Sequence, residues 1–381
     1  MEAQDTAKVS TFLWHRMCHN LGARPEAPML PLRNLTAFAL LALTAMLAAC
    51  EGAQDALVRR VAARAAAQDD SLFATDALRV LICGSASPLP HPTRARPCTA
   101  VFAAGKLWVV DVGPGSWNRM GGWRVPPKLG AVLITHFHSD HIGELGEWNL
   151  QSWVNGREAP LRVIGPEGVQ RVVTGFNEAY ALDVVYRAAH HGADFMPPAV
   201  GVMSAQPIAF AESATSAVVH DADGLRITAF LVDHAPISPA VGYRFDYLGR
   251  SVVVSGDTVK NANLITAAKD VDVLVHEAQA NHIVKLLQEV ATESRPRAAK
   301  IMGDIPDYHT SPVEAAEVAN EANARLLVLS HLTPPPPNAV VARMFVRGVE
   351  DARDGEWVLA DDGMLFSLPA NSQEIARDSL E

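Results

Sequence analysis

From about residue 78 onward, short runs of aliphatic and β-branched residues alternate with stretches in which apolar residues recur at helical spacing. Short apolar runs are typical of strands buried in a sheet, and helical spacing predicts the helices that cover it. The pattern therefore predicts a layered α/β fold. The predicted strands are 79–83, 99–103, 107–112, 131–135, 161–164, 225–232, 241–247, 251–255, 271–275, 326–330, 357–359 and 364–368.

Two short turns predict hairpins between neighbouring strands. Gly105-Lys106 separates the second and third predicted strands, and Asp361-Asp362-Gly363 separates the last two. Because such turns join antiparallel neighbours, we expect each pair to lie side by side in one sheet.

An apolar run precedes the α/β pattern. It spans 35–50, follows Arg33 and is too short to cross a bilayer as a helix. A short apolar run that follows a positive charge and ends in small residues predicts a secretory signal. Its end, Leu47-Ala48-Ala49-Cys50, resembles a bacterial lipobox with a lipid-modified Cys50. A buried Ala/Leu-rich helix is the alternative.

Composition bounds the class of protein. Hydrophobic residues make up 49% of the 381 residues and charged residues 19%, which excludes global disorder. The formal net charge is -10, whereas proteins that wrap nucleic acid usually carry a basic balance or stripe. The sign of the charge therefore weighs against a nucleic-acid partner.

The four cysteines, at 18, 50, 83 and 98, predict no metal site, because none of them stands in a C-x-x-C spacing. They are also too few to predict a disulfide scaffold.

The strongest chemical signal follows the predicted strand 131–135. The segment Thr135-His136-Phe137-His138-Ser139-Asp140-His141 places three imidazoles and a carboxylate directly after a buried strand. Two histidines at i and i+2 can converge on one metal, and the following Asp and His can turn to a second. Imidazole nitrogen and carboxylate oxygen are suitable zinc ligands. A solvated His-rich loop is the alternative.

This motif resembles the signature of the metallo-β-lactamase superfamily, and the resemblance covers about residues 78–369. The resemblance implies a four-layer αββα sandwich. It also implies further ligands at His234, Asp257 and His331. Each of these follows a predicted strand, where a rigid scaffold presents side chains at a common edge. Taken singly, His234 or His331 would more often be a structural histidine.

The resemblance assigns the ligands to two metal ions. His136, His138 and His234 would hold one zinc, Asp140, His141 and His331 the other, and Asp257 would bridge them. Two zinc ions about 4 Å apart share a hydroxide that is nucleophilic at neutral pH. Asp140 would also orient that hydroxide as a catalytic residue. Manganese or iron are alternative metals.

Within the superfamily the chain looks most like the ribonuclease Z branch, which includes phosphodiesterases and arylsulfatases. His309, in Asp307-Tyr308-His309-Thr310-Ser311, matches the histidine that donates a proton to the leaving oxygen in relatives. A role in capping the following helix is the alternative for His309. His276 and Glu277 are expected to support the metal ligands without binding metal.

The substrate is predicted from what lies between His234 and Asp257. In short transfer-RNA-processing members an arm is inserted there, and here 23 positions hold only two strands and a turn. We therefore expect a small anionic phosphodiester or sulfate ester as substrate, with a nucleic-acid partner unlikely. The alternatives are a ribonuclease Z-type transfer-RNA 3′-processing endonuclease, a lactonase or β-lactamase, and a non-catalytic metal-binding scaffold.

Extra length between His141 and His234 predicts an insert over 176–215 that forms a lid. Its residues Tyr186, Arg187, His190 and His191 are candidates for contact with an anionic substrate, because a guanidinium donates paired hydrogen bonds to sulfate or phosphate oxygens. A helix with a polar face is the alternative.

The resulting organisation has a leader over 1–50, of which 1–28 precede an alternative start at Met29. A linker over 51–76, a hydrolase domain over 77–370 and a tail over 371–381 follow. Export would place the protein in the bacterial periplasm or, through Cys50, on a membrane as a lipoprotein. Relatives of this kind commonly form homodimers.

Overall fold

The computed structural model of the protein describes residues 52–63, 67 and 70–380. The predicted leader and Cys50 lie outside the described residues. Two units divide the chain at Ala66. The described part of the first is helix α1 (52–63), which is exposed along its whole length within the predicted linker. The second unit, from Ala67, contains all the other elements.

Two mixed sheets form the centre of the second unit. The first has the strand order β15-β14-β1-β2-β3-β4-β5-β6, and the second has the order β13-β12-β11-β10-β9-β8-β7. The first sheet contains β1 (Ala77–Gly84), β2 (Cys98–Ala103), β3 (Lys106–Val110), β4 (Leu129–Leu133), β5 (Leu161–Gly165), β6 (Met203–Pro207), β14 (Met364–Pro369) and β15 (Ala376–Ser379). The second contains β7 (Ser216–Ala222), β8 (Leu225–His234), β9 (Ile237–Tyr247), β10 (Arg250–Val254), β11 (Val273–Gln279), β12 (Leu326–Thr333) and β13 (Glu356–Leu359).

Helices cover the outer face of each sheet, so the predicted four-layer αββα sandwich is confirmed. The helices are α2 (Ser116–Gly122), α3 (Ser139–Ile142), α4 (Leu145–Val154), α5 (Val169–His191), α6 (Ala262–Ala267), α7 (Asn281–Ser294), α8 (Pro296–Asp304), α9 (Pro312–Glu321), α10 (Ala339–Phe345) and α11 (Val349–Ala352), with 3-10 turns at Ser71–Phe73 and Ile305–Tyr308. Within the described residues, no helix combines the length and the apolar character that crossing a bilayer requires.

The apolar positions fall into three packed layers. One core lies between the sheets, where β1 faces β9 through residues such as Val80 and Phe245. A second lies between the first sheet and α2, α4 and α5, and includes Trp148. A third lies between the second sheet and helices that include α9 and α10. The runs of apolar residues in the strands are explained by this burial on both faces.

The first predicted hairpin is confirmed and the second is wrong. Strands β2 and β3 pair antiparallel across a turn in which Ala104 and Gly105 both have positive φ. In contrast, β13 pairs with β12 in the second sheet and β14 pairs with β1 in the first. The turn between them therefore crosses from one sheet to the other. Asp362 fixes this crossing, because its carboxylate accepts hydrogen bonds from the backbone of Ser85 and Ala95, in the loop between β1 and β2.

The region predicted as a lid forms part of the sandwich instead. Residues 176–191 are the greater part of α5, which connects β5 to the parallel strand β6. The predicted tail also differs from expectation, because β15 extends the first sheet by pairing with β14. The lid was predicted from the extra length between His141 and His234, and that length is used instead for a crossover helix and the strand that follows it.

A disulfide that the sequence did not predict joins the first two strands. Cys83 and Cys98 are bonded, and both are buried. They are brought together because β1 and β2 are antiparallel neighbours with Gly84 opposite Cys98. A single disulfide is enough in this domain, because the bond adds to the stability of an extensive hydrophobic core and does not replace it.

Candidate metal centre

The parallel strands of the two sheets end at one edge of the sandwich, and the histidine-rich loop follows β4 there. Thr135 begins this loop, and its backbone and hydroxyl both donate to Asp111 (2.9 and 2.8 Å). Asp111 stands directly after β3 and adopts a φ of 58°. Its carboxylate also accepts a hydrogen bond from His141 Nδ1 at 2.8 Å. Asp111 thus fixes the loop and directs Nε2 of His141 inward.

Asp111 was missed by the sequence prediction. The signal was a polar residue directly after a buried strand, in Val110-Asp111-Val112. This is the context that was used for the predicted ligands, but Asp111 has no neighbouring histidine in the sequence.

Asp257 lies at the centre of the predicted ligands. Its Oδ2 is 3.3 Å from Nε2 of both His141 and His331, 3.9 Å from Nε2 of His136 and 4.0 Å from Nε2 of His234. His136 and His141 follow β4, Asp257 follows β10, His234 ends β8, and His331 lies in β12. The structure therefore brings residues that are far apart in the sequence to one point.

Two groups of ligand atoms share this centre. His136, His138, His234 and Asp257 form one group, and Asp140, His141 and His331 form the other, with the chosen atoms of each group within 4.8 Å of one another. The grouping agrees with the predicted assignment to two metals, with Asp257 between them. A third group, Asp257, His309 and His331, overlaps the second.

The charges of the cluster suit metal binding. Burial lowers the pKa of His136 well below its usual range, and the neighbouring His141 adds to the effect. Burial also lowers the pKa of His138 and of His234. Burial raises the pKa of Asp257, but His331 and His141 outweigh this effect and hold the pKa well below its usual range. Neutral imidazoles and ionised carboxylates are the forms that bind metal.

His141 differs from the other histidines. Burial lowers its pKa, but the carboxylates of Asp257, Asp111 and Asp140 raise the pKa well above its usual range. A histidine that donates Nδ1–H to a carboxylate presents a more basic Nε2 to a metal. The Asp111–His141 pair has this geometry.

Buried atoms without hydrogen-bond partners provide the test of whether these residues fit a metal. Unpaired buried polar atoms are costly, and five of them converge here. They are Asp140 Oδ2, His141 Nε2, His234 Nε2, Asp257 Oδ1 and His331 Nε2. A nitrogen and oxygen donor set of this composition suits zinc. The residues therefore fit a dinuclear metal centre.

His309 lies beside the cluster and is held by Glu277. Its Nδ1 donates to Glu277 Oε1 at 2.9 Å, and its ring stacks against His331 with centroids 5.6 Å apart. Although burial lowers it, the charge and hydrogen bond of Glu277 raise the pKa of His309 to about 9. His309 is consequently protonated at neutral pH.

The alternative role for His309, as a helix cap, is filled by another residue. Ser311 caps α9 by accepting from the backbone of Glu314, and the Glu314 side chain accepts from the backbone of Ser311. His309 precedes this capping box and makes no part of it.

Glu277 and His276 take different positions although both were expected to support the ligands. Glu277 accepts from the backbone of Thr258 and Thr310 as well as from His309, and so joins the loop that carries Asp257 to the loop that carries His309. His276 is fully buried, and its Nδ1 donates to the carbonyl of Glu277 at 2.7 Å. Among the described contacts, none joins His276 to a metal ligand.

A second unpredicted contact orients His234. Its Nδ1 donates to the carbonyl oxygen of Tyr308 at 2.9 Å, and the two rings lie 4.8 Å apart. The sequence prediction included Tyr308 only as a neighbour of His309. Its backbone contact could not be read from side-chain chemistry.

The four predicted substrate contacts in the insert are not brought to the metal cluster. Helix α5 begins near the cluster, where Gly168 lies against Phe137, and its 23 residues extend about 35 Å. Tyr186, Arg187, His190 and His191 belong to its last turns. Because α5 connects two parallel strands, these turns lie toward the opposite edge of the sheet.

Comparison with known proteins gives a match to the family described as "Beta-lactamase superfamily domain" over residues 109–332. A protein named Ribonuclease Z from Mycobacterium sp. (strain KMS) is 38% identical over 261 residues, which are 68% of this chain and 85% of the relative. Ribonuclease Z from Mycobacterium bovis (strain BCG / Pasteur 1173P2) is 37% identical over 68% of this chain and 86% of the relative.

Two solved structures resemble the fold. The metallo-β-lactamase fold protein YhfI from Bacillus subtilis has a TM-score of 0.54 at 18% identity, with 77% of this chain and 100% of that chain covered. Human tRNase Z, short form, has a TM-score of 0.53 at 21% identity, with 76% and 99% covered. At these identities the likeness concerns the fold alone.

The relatives correct two expectations. A small phosphodiester or sulfate ester was favoured as substrate over the ribonuclease Z-type alternative, and this order is wrong, since the sequence relatives carry the name Ribonuclease Z. The expectation that a nucleic-acid partner is unlikely is wrong for the same reason. Both rested on net charge, on the predicted export signal and on the absence of an arm between His234 and Asp257. These are weaker signals than 37–38% identity over 261 residues.

Proposed function

Because the chain belongs to the β-lactamase superfamily, in its ribonuclease Z-like branch, we propose that it is a ribonuclease Z-type endonuclease that cleaves the 3′ side of transfer-RNA precursors. At the coarser level the chain is a metallo-hydrolase that acts on ester bonds. The observation that carries the finer proposal is the 38% identity, over 68% of this chain, to a protein named Ribonuclease Z. The buried His309–Glu277 pair beside the ligand cluster supports it. Cleavage of an RNA phosphodiester that releases a 3′ oxygen needs a proton donor at that position, since an alkoxide is a poor leaving group.

We propose zinc as the metal at both positions. His136, His138 and His234 would hold one ion, Asp140, His141 and His331 the other, and Asp257 would be shared. When bound, two such ions lower the pKa of a water and stabilise charge on the phosphoryl oxygens.

The chain's own residues supply the proton transfers. His309, protonated through its partnership with Glu277, gives a proton to the departing 3′ oxygen. Asp140 has an oxygen without a hydrogen-bond partner, 3.4 Å from His331 Nε2 and 3.6 Å from His141 Nε2. Because a carboxylate has two oxygens, Asp140 would bind the metal through one of them, and the other would orient the attacking water and accept its proton.

The segment between His234 and Asp257 contributes no arm to substrate binding. It consists of β9, a turn at Leu248-Gly249 and β10, which pair directly with each other. In the proposed function the body of the RNA is therefore held by other surfaces than this segment.

Export and lipid anchoring remain part of the proposal for localisation. The buried Cys83–Cys98 disulfide supports export, because disulfides persist in oxidising compartments and are rare in the bacterial cytosol. Fractionation tests the anchor. Wild-type protein is expected in the membrane fraction and a Cys50→Ala variant in the soluble fraction, and a variant that stays with the membrane contradicts anchoring through Cys50.

Cleavage assays test the enzymatic proposal. Purified protein loaded with zinc is expected to cut a precursor transfer RNA at its 3′ side, and a His309→Ala variant should bind the same amount of zinc but cut far more slowly. The matched comparison is bis-nitrophenyl phosphate, whose leaving group needs no proton. Turnover of this small ester without any cleavage of precursor transfer RNA would sink the proposed function.

A further inference from the structure

Helix α7 starts at the edge of the sandwich where the metal ligands meet. The backbone N–H of Gln279, two residues before α7, donates to the carbonyl of Thr310 at 2.8 Å, and Thr310 directly follows His309. The next residue, Ala280, donates to the carbonyl of Thr333 at 2.8 Å, at the end of β12. The start of α7 is therefore fixed between the loop of the proposed proton donor and a strand that carries a predicted metal ligand.

Helices α8 and α10 are connected to the same edge. Helix α8 leads through the turn Ile305–Tyr308 directly into His309, and α10 follows the proline-rich segment after β12. Helices α7 and α8 form a hairpin, in which Gly303 of α8 lies against the side chain of Gln288 of α7. The surface of these helices is consequently continuous with the surroundings of the metal cluster.

One carbonyl group joins α7 to the end of α10. The carbonyl oxygen of Met344 accepts from Nε2 of His282 at 2.8 Å and from the backbone N–H of Arg347 at 3.2 Å. Lys285 follows His282 by one turn on the same face of α7, and Arg343 precedes Arg347 by one turn. Lys285, Arg343 and Arg347 therefore surround this contact, and they are here called the basic face.

The basic face has an unbalanced positive charge. Its three side chains are exposed, and among the described residues none of the three forms an ion pair. Six basic and three acidic residues stand in α7, α8 and the segment 339–347, although the whole chain has a net charge of -10. One of the three acidic residues, Asp304, is paired with Lys300. A local excess of this kind is typical of a surface that binds a partner rich in phosphate groups.

The proposed substrate needs such a surface. The segment between His234 and Asp257 forms no arm, and a transfer-RNA precursor extends well beyond the bond that is cut. Lys and Arg bind the phosphates of a nucleic acid without reading its sequence, and these contacts fix its position. Because the basic face adjoins the loop of His309, an RNA whose scissile bond lies at the metal centre can extend across it.

We propose that the basic face binds the phosphate backbone of the RNA substrate and holds the RNA body in the absence of an arm. Lys285, Arg343 and Arg347 contact phosphates outside the scissile bond. The inference rests on the proposed function for the identity of the RNA. It adds the surface that positions this RNA relative to the metal centre.

Two double charge reversals test the basic face. Lys285→Glu/Arg343→Glu reverses two of its charges. Lys106→Glu/Lys269→Glu is the matched control, because both lysines are exposed and lie at or before the starts of β3 and β11, away from the metal edge. Both variants change the net charge equally, so an effect of net charge alone is the same in both. Circular dichroism checks that both fold like wild type.

Fluorescence anisotropy with a labelled transfer-RNA precursor measures Kd. The zinc-loaded proteins carry His309→Ala in addition, so that cleavage is slow during the measurement. At about 100 mM salt, the basic-face variant should raise Kd at least about 10-fold and the control at most about 2-fold. The slope of log Kd against log salt should fall by about two in the basic-face variant, since each lost phosphate contact removes roughly one unit. The conservative variant Lys285→Arg/Arg343→Lys should keep the wild-type Kd.

Kinetics of the enzymes that retain His309 give a second readout. The ratio of kcat/KM for the precursor to kcat/KM for bis-nitrophenyl phosphate should fall in the basic-face variant by about the factor seen in Kd. The reason is that the small ester is too short to reach from the metal centre to the basic face. In the control, this ratio should stay within about 2-fold of wild type.

Two results would overturn the inference. The first is an equal Kd for the basic-face variant and the control. The second is binding to phosphatidylglycerol vesicles that only the basic-face variant loses, while its Kd for RNA stays at the wild-type value. That result would assign the face to a membrane, because Leu286 beside Lys285 is 51% exposed and such a combination suits an anionic bilayer. A wild type that binds the precursor through the basic face but cuts none would count against the proposed function alone.

Discussion

The carboxylate of Glu277 lies 2.9 Å from Nδ1 of His309, and the same oxygen accepts hydrogen bonds from the backbone of Thr258 and Thr310. One buried atom thus positions the proton donor and also the residue that follows Asp257. Glu277 consequently holds the proposed acid, His309, and the loop of the proposed shared ligand, Asp257, in a fixed relationship.

Replacing His309 should separate substrates by their leaving groups. We expect His309→Ala to lower kcat by about 10² to 10⁴ for RNA, whose leaving oxygen must be protonated. For bis-nitrophenyl phosphate, the loss should be much smaller. Steady-state kinetics with both substrates and a metal assay check this, and an equal loss for both would count against the acid role.

Replacing Glu277 should change the pH dependence of RNA cleavage. The Glu277 carboxylate raises the pKa of His309 to about 9, so His309 is protonated below that pH and loses its proton as the pH rises through it. In Glu277→Gln this pKa falls, and the alkaline limb of the rate profile should move to lower pH. An unmoved alkaline limb would show that another group determines it.

Metal content should respond differently to two ligand substitutions. Asp257 is close to both ligand groups and His138 belongs to one. We therefore expect Asp257→Ala to lose both metal equivalents and His138→Ala to lose about one, measured by elemental analysis. His220→Ala is the control, because His220 lies on β7 and packs against Trp108. This variant should retain both metal equivalents. Full metal content in Asp257→Ala would refute the shared position.

Stability should depend on pH through Asp272. Burial raises the pKa of Asp272. Hydrogen bonds from Arg250, the backbone of Ser251 and Arg325 outweigh this effect and lower the pKa below its usual value of 3.8. A carboxyl group whose pKa is lower in the folded than in the unfolded protein stabilises the fold at pH values above its unfolded pKa. This contribution disappears as the pH falls through the pKa that the group has in the folded protein. Asp272→Asn should therefore cost roughly 3 kcal/mol at pH 7, by leaving Arg250 buried without its charge partner.

Urea unfolding at several pH values measures this difference. It should shrink as the pH falls below the unfolded value of 3.8 and through the lower pKa of the folded protein, where wild-type Asp272 becomes protonated as well. Asp246→Asn is the matched control, because Asp246 pairs with Arg244 nearer the surface and should cost less than about 1 kcal/mol. A constant difference across pH would contradict the assignment.

Removing the disulfide should destabilise the domain without removing metal. Cys83 and Cys98 are separated by 15 positions, and a loop of that length corresponds to about 3 kcal/mol. The Cys83→Ser/Cys98→Ser variant is expected to lose about this much free energy of unfolding. Wild-type protein unfolded in the presence of a reductant should behave like the variant. An unchanged unfolding midpoint in the variant would contradict a stabilising bond.

The ligand positions could be predicted because each follows an apolar strand, and the strands end at one edge of the sandwich. His136, His234 and Asp257 carry this signal locally. Asp111 and the carbonyl of Tyr308 could not be predicted in the same way. Their roles depend on which backbone segments become neighbours only when the two sheets pack.

The errors in the fold arose where local sequence supports two topologies. Asp361-Asp362-Gly363 has the residues of a hairpin turn, but its direction is decided by contacts of Asp362 with Ser85 and Ala95. The extra length between His141 and His234 suggested a lid, and the polar residues at the end of α5 suggested contacts with the substrate. Their chemistry suits an anion, but a crossover helix between parallel strands carries them away from the metals.

The crossing at Asp362 has a consequence for how the protein is made. Strand β14 pairs with β1, and strands β2 to β13 lie between them in the chain. A nascent chain therefore keeps one edge of β1 open until all the intervening strands have been synthesised. The first sheet consequently closes by a contact of high sequence separation, which is expected to form slowly.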